Sequence, residues 1–178
     1  MPHVKSFAPV ENADAKILIL GSMPGEASLR ADQYYAHPRN LFWRIMGELA
    51  NANPDLPYNQ RVQALKAAGI ALWDVLRSCR RKGSLDSSID DSSLVPNDFE
   101  DFFRRHPQIT HVFFNGSKAE QCYRKYVMPS AGTEHIQYLR LPSTSPANAS
   151  ISIERKLEAW RAIAECLPLT RADYLHIS

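Results

Sequence analysis

Two short segments rich in proline and glycine or hydroxyl side chains carry most of the chemistry legible in this chain of 178 residues. The first is Gly21-Ser22-Met23-Pro24-Gly25, and the second is Pro142-Ser143-Thr144-Ser145-Pro146. Both are stiff, polar and uncharged. Backbone N–H groups and Ser/Thr hydroxyls on such turns suit the phosphate oxygens of a nucleic-acid backbone. The plain alternative is two ordinary turns, because Gly, Pro and Ser cluster in turns for local reasons. Between them lies an Asn–aromatic segment, Tyr34-Tyr35-Ala36-His37-Pro38-Arg39-Asn40-Leu41-Phe42-Trp43. Asn40 precedes an apolar helical repeat, as an N-cap would. His37, a lone histidine beside a proline, reads first as structural.

Other chemistries find little support. No GxSxG elbow is present, and no His pairs obviously with a Ser or Cys. HExxH spacing is absent, and the three cysteines, Cys79, Cys122 and Cys166, form no CxxC pair. No metal and no cofactor are therefore expected, and the thiols read as reduced and buried. The GSMPG segment lacks the glycines of GxGxxG and the lysine of a P-loop, so it is a weak nucleotide signature.

The elements that must position these segments alternate. Lys16–Leu20, Gly69–Leu76, Thr110–Asn115 and His135–Leu141 are short apolar runs that read as strands. Leu41, Phe42, Ile45, Met46 and Leu49 recur at helical spacing, so 41–50 is expected to be a helix. Further helices are expected at 58–68, 98–105, 117–127 and 152–167. Residues 22–30 and 77–96 read as loops and 168–178 as a loose tail. Near-continuous apolar strands alternating with helices imply an α/β fold: a three-layer αβα sandwich around a mostly parallel four-stranded sheet. One domain is expected over 1–178, with its core at about 16–167. Ligands of such sheets bind beyond the carboxyl ends of the strands, where GSMPG, the stretch after LWDV, NGS and LPSTSPANA fall.

Composition agrees with a soluble domain: 44% hydrophobic, 22% charged, and a formal net charge of +2. That charge is too small to name a partner. Local basic groups, Arg77/Arg80/Arg81/Lys82 and Lys118/Arg124/Lys125, read as solvated faces that also suit nucleic acid. No apolar run is long enough for a bilayer span, and the N-terminus lacks a signal peptide's apolar stretch. A cytoplasmic protein without membrane contact is expected, and the NGS and NAS strings then have no glycosylation meaning.

The combination of GSMPG after a strand, YYAHPRNLFW soon after it, FNGSKA, and LPSTSPANA near the C-terminus resembles the uracil-DNA glycosylase superfamily. LWDV and GSLDSSI also look like its hypoxanthine-DNA (deoxyinosine) branch. The resemblance spans about residues 16–167 in the right order, and its specificity lies in the combination. It implies a DNA repair glycosylase acting on DNA with a deaminated base, most of all hypoxanthine. A monomer is expected, and, because no lysine is placed as an amine nucleophile, no lyase activity. The resemblance implies Asn40 as the residue that holds the attacking water, with Gly21, Ser22 and Met23 in the first motif beside it. Tyr35, Phe42, Asp74 and Asn115 are then expected to bind the base, with Tyr35 stacking on it and Asp74 accepting its N1–H. Pro24, Gly25, His37, Pro142, Ser143, Thr144, Ser145 and Pro146 are expected to hold DNA.

The departures from the family pattern bear on substrate. Met23 stands where much of the superfamily carries Asp or Asn, and Met cannot orient water. Leu141 stands where uracil enzymes commonly carry a leaving-group His, so weak uracil cleavage is expected. The intercalating Leu of that loop is also missing, with Ser145 near its place. Three other readings stay open: a mismatch-specific uracil/thymine glycosylase, a nucleic-acid-binding domain without catalysis, and a nucleotide-binding α/β protein.

Overall fold

The computed structural model describes residues 1–130 and 133–167, so the expectation for 168–178 lies outside the described residues. Seven strands form: β1 (His3–Lys5), β2 (Ile17–Gly21), β3 (Ile70–Asp74), β4 (Leu76–Arg80), β5 (Val95–Pro96), β6 (His111–Asn115) and β7 (Gln137–Leu141). The four apolar runs make one sheet in the order β3-β2-β6-β7, and every pair in it is parallel. Gly21 stands opposite Asp74, and Asn115 opposite Leu141. All four strands therefore end along the same edge.

Seven helices flank it: α1 (Glu26–Ala31), α2 (Phe42–Ala50), α3 (Tyr58–Ala67), α4 (Phe99–Arg105), α5 (Ser117–Tyr126), α6 (Ile153–Trp160) and α7 (Ala162–Glu165). The side-chain alternation of the strands splits the core in two. Leu18, Leu20, Ala71, Val112 and Phe114 pack against Phe99 and Phe102 of α4 and Ala119 and Tyr123 of α5. Ile17, Ile19, Ile70, Leu72 and Phe113 pack against Phe42 and Met46 of α2, Leu65 of α3, and Trp160 and Ile163 beyond. This is the expected αβα sandwich. Local signals set the helix ends: Asp98 accepts from the Asp101 N–H, Ser152 accepts from the Arg155 N–H, and Gly69 takes φ +82° after α3.

Several segments depart from the sequence reading. The stretch 77–96 is not a plain loop, because β4 pairs antiparallel with β1 and β5 in a second, three-stranded sheet. Its Leu76, Ser78 and Cys79 are buried while Arg77 and Arg80 are exposed, so its polar residues hid a half-buried strand. Residues 26–31 form a helix, and the expected single helix at 152–167 divides at Arg161. The chain before residue 16 is packed as well: Val10 bridges Leu72, and the Arg81 N–H donates to the Pro2 carbonyl.

Candidate active site

The four strand ends open into a cleft of about 710 Å³. Gly21, Asp74, Asn115 and Leu141, the last residues of the four strands, all line it. On one side stands the Gly21–Gly25 loop with Tyr35 and Asp74. On the other stands the segment from Pro142 to Asn148.

On the first wall, Gly21 makes room for two polar groups. A Cβ there would lie 2.6 Å from Asp74 Oδ1 and 2.8 Å from the Tyr35 hydroxyl. Only a residue without a side chain lets both close over the strand end. Tyr35 is held at φ +53°, a backbone conformation that bulky residues rarely adopt. Asp74 is 3% exposed, and its Oδ2 has no hydrogen-bond partner; the Tyr35 hydroxyl meets no full hydrogen-bond geometry either, although the Asn115 side chain is near enough to favour its ionised form. Burial, and then the Asp86 charge, push the Asp74 carboxyl up to about 7, while Arg81 pulls it down. Burial likewise raises the Tyr35 phenol.

The same wall is braced from behind. Arg81 is 1% exposed, which corrects its reading as part of a solvated basic face. Its Nη2 donates to the Pro24 carbonyl at 2.5 Å and its Nε to the Gly83 carbonyl at 2.8 Å. Its Nη1 has no partner. The Ser22 hydroxyl donates to Asp86 Oδ1 at 2.5 Å, and the Glu26 N–H to Ser84 Oγ at 2.8 Å. The Met23 side chain is buried and brings no hydrogen-bonding donor to the cleft, so only its backbone can serve there.

On the second wall the buried side chains are paired. Asn115 Nδ2 donates to Thr144 Oγ1 at 2.9 Å, and the Thr144 N–H returns to Asn115 Oδ1 at 3.0 Å. The Thr144 carbonyl accepts from the Leu41 N–H, and the Pro142 carbonyl from Trp160 Nε1. Lys156, 2% exposed, donates to the Asn148 carbonyl at 2.6 Å, and Asn148 Nδ2 donates to the Ser143 carbonyl. Gly116, at φ +92°, lets Ser143 approach: a Cβ would stand 3.1 Å from that of Ser143. Ser143 Oγ accepts from the Ser145 N–H and Ser145 Oγ from the Ala147 N–H. Each of those hydroxyls keeps its own proton for a ligand. Thr144, by contrast, is fully buried, so its place is inside the loop and not on a phosphate.

Asn40 joins the walls at the start of α2. Its Oδ1 accepts from the Phe42 N–H at 2.9 Å, although Leu41 stands at the helix boundary. This turn fixes the carboxamide of a residue that lines the cleft, and it uses only one Oδ1 lone pair, leaving the other and the NH2 group unengaged among the described residues. The Tyr35 ring stacks on Phe42, with centroids 4.2 Å apart. Phe42 is wholly buried and does not line the cleft, so it backs Tyr35 and cannot itself meet a base. His37 lines the cleft, and its Nδ1 accepts from the Arg39 N–H. Leu141, 2% exposed, faces the core and brings no polar group to the cleft.

The sequence reading brings Asn40, Met23, Tyr35, Asp74, Asn115 and both proline-bearing loops to one cleft. It singled out the segment GSLDSSI but gave its Ser84 and Asp86 no role, and it missed Lys156, whose helix spacing marks a core-facing side without saying what its amine would meet. Among the described residues no three His, Cys, Asp or Glu side chains stand together as metal ligands. No helix among them is long and apolar enough to cross a membrane.

Comparison with known proteins places this architecture. Residues 8–164 match the family described as the uracil DNA glycosylase superfamily. The chain is 36% identical over 160 residues to a hypoxanthine DNA glycosylase of Methanosarcina acetivorans, covering 89% of this chain and 96% of the relative. It is 40% identical over 116 residues to a protein of the same name from Methanosarcina barkeri, covering 65% and 72%. The solution NMR structure of a candidate uracil DNA glycosylase from M. acetivorans superposes with a TM-score of 0.77 at 34% identity, covering 93% of this chain and 99% of that one. With its parallel sheet, its two proline-bearing loops and its strand-end cleft, this chain belongs to the uracil DNA glycosylase superfamily.

Proposed function

We propose that this protein is a DNA N-glycosylase that hydrolyses the bond between deoxyribose and a flipped hypoxanthine. The observation that carries this reading is the pair of unpartnered buried polar atoms, Asp74 Oδ2 and the Tyr35 hydroxyl, at the closed end of a cleft with Asn40 on its wall. Buried polar groups without partners are rare, and each asks for a ligand or a function. The six-membered ring of hypoxanthine carries an N1–H donor beside an O6 acceptor. Ionised Asp74 accepts the first, and the Tyr35 hydroxyl donates to the second. The names of the relatives point to the same base.

A base in the stack is out of reach, so it is extruded into the cleft at a cost of a few kcal/mol. Cleavage then breaks C1′–N9, with the electron pair leaving on the base, and a water oxygen bonds to C1′. The sugar passes through an oxocarbenium-like state. Asn40 has no basic group; its remaining Oδ1 lone pair positions the water and turns a carbonyl dipole toward the cationic sugar. Such placement is worth several kcal/mol. The N–H groups of Ser22 and Met23, which have no acceptor among the described residues, stabilise the departing base anion. On the opposite wall the Ser143 and Ser145 hydroxyls hold phosphate oxygens. Leu141 offers no imidazole for a uracil leaving group, so uracil is a poor substrate.

No lysine lines the cleft, which supports a monofunctional enzyme. One chain supplies both walls, which supports action as a monomer. The test is base release from a labelled duplex with one deoxyinosine, beside a matched deoxyuridine duplex, with EDTA present. Hypoxanthine release with little uracil release is expected, and borohydride traps no adduct. Dominant uracil release would move the protein to the mismatch-specific branch of the superfamily.

A further inference from the structure

We propose that Leu85 is the wedge this protein inserts into the base stack to fill the space left by the flipped nucleotide. The inference rests on the glycosylase reading above. Four large apolar side chains stand exposed among the described residues: Met1, Leu85, Val95 and Leu139. Of these only Leu85, 51% exposed, lines the cleft. An exposed leucine is unremarkable alone, but one that lines the cleft proposed to receive the base is placed to meet the stack that base leaves.

The loop that carries it is anchored on both sides. Ser84 Oγ accepts from the Glu26 N–H, and Asp86 accepts from the Ser22 hydroxyl. One residue earlier, the Gly83 carbonyl accepts from buried Arg81, and the Leu85 carbonyl accepts from the Ser88 N–H. Leu85 is thus a short apolar tip between two fixed points, bonded to the same Gly21–Gly25 loop that stands beside the base. Little conformational freedom remains for binding to remove. Proteins that unstack DNA use such apolar side chains between base steps. On the opposite wall Ser143, Thr144, Ser145 and Ala147 are small, and the larger Pro146 and Ile151 are only partly exposed. Lys82, exposed and three residues away, is placed to meet the flanking phosphate.

A wedge contributes where a base must leave a stack and contributes little where no stack exists. The experiment is single-turnover hypoxanthine release by the wild type, Leu85→Ala and Leu85→Met, on a deoxyinosine duplex and on the same strand without its complement. Leu85→Ala is expected to lose about tenfold on the duplex and less than about twofold on the single strand, in proportion to the unstacking it no longer supports. Leu85→Met is expected to restore most of the duplex rate. Equal losses on both substrates, or no loss on the duplex, would overturn the proposal. A second readout separates this from failure of the base assignment. With 2-aminopurine at the flipped position, wild-type protein raises its fluorescence and Leu85→Ala does not, whether or not hypoxanthine is released. Equal fluorescence with both proteins would also overturn it.

Discussion

The two walls of the cleft are built by the same device and finished differently. Each is a proline-bearing loop at the end of parallel strands, and each is held by a buried cation that donates to loop carbonyls: Arg81 to Pro24 and Gly83, Lys156 to Asn148. On the Pro142–Asn148 side the side-chain polar atoms are paired, and Asn115 and Thr144 satisfy one another. On the Gly21–Gly25 side Asp74 Oδ2, the Tyr35 hydroxyl and Arg81 Nη1 are left without partners. An unpaired buried polar atom costs about 1–3 kcal/mol. The first wall carries that cost, as the proposed base reader would, whereas the second is the side proposed to hold the DNA backbone.

The comparison breaks most sharply at Asn40, where the walls meet. Asn40→Ala is expected to slow single-turnover hypoxanthine release by about a thousandfold, the range lost with a positioned catalytic group. Asn40→Asp keeps an acceptor for the Phe42 N–H, so it should hold stability within about 0.5 kcal/mol. Its release should stay far below wild type. Wild-type release by that variant would leave Asn40 with a capping role alone.

Asp74→Asn tests the cost of the unfinished wall. The folded carboxyl titrates near 7 against an ordinary value of 3.8. Between those values the folded protein keeps a proton that the unfolded chain has released. Stability therefore falls as pH rises through that window and is lowest above 7. Asn carries no such proton. The variant should gain, relative to wild type, roughly 2–4 kcal/mol on going from pH 4 to pH 8, measured by denaturant unfolding. A difference that does not change with pH would contradict the buried-carboxylate account.

The smallest effect belongs to the finished wall. Lys156→Met leaves the Asn148 carbonyl without its donor and loosens the loop that holds phosphate. It should raise KM for duplex DNA about tenfold and change kcat by less than about twofold. A kcat loss as large as its KM change would erase the division of labour between the walls.

Much of this arrangement is legible in the residues. The apolar runs at 17–20, 70–73 and 112–114 mark parallel strands with both faces buried, and the alternation with helices follows. The site's membership follows too, since ligands gather at the strand ends. What escapes is the pairing of buried polar residues. Arg81 sits among Arg80 and Lys82 and looks like part of an exposed basic run; only β4 and its bond to Pro24 reveal that it points inward. Thr144 and Ser143 share a residue class and a loop, yet one faces Asn115 and the other the cleft. Phe42 and Tyr35 are neighbours in a stack, and the sequence does not say which ring is in front. The first two distinctions are set by contacts across 57 and 29 residues of separation, beyond the reach of local periodicity.

The most direct test of the first wall as the base reader is the pH profile of single-turnover hypoxanthine release, for wild type and Asp74→Asn. Ionised Asp74 is the stronger acceptor for the N1–H, so the wild-type rate should rise with pH on a limb centred near 7. In Asp74→Asn that limb should vanish and the remaining rate should be low throughout. A flat wild-type profile, or the same limb in both proteins, would contradict the assignment of Asp74 to the base.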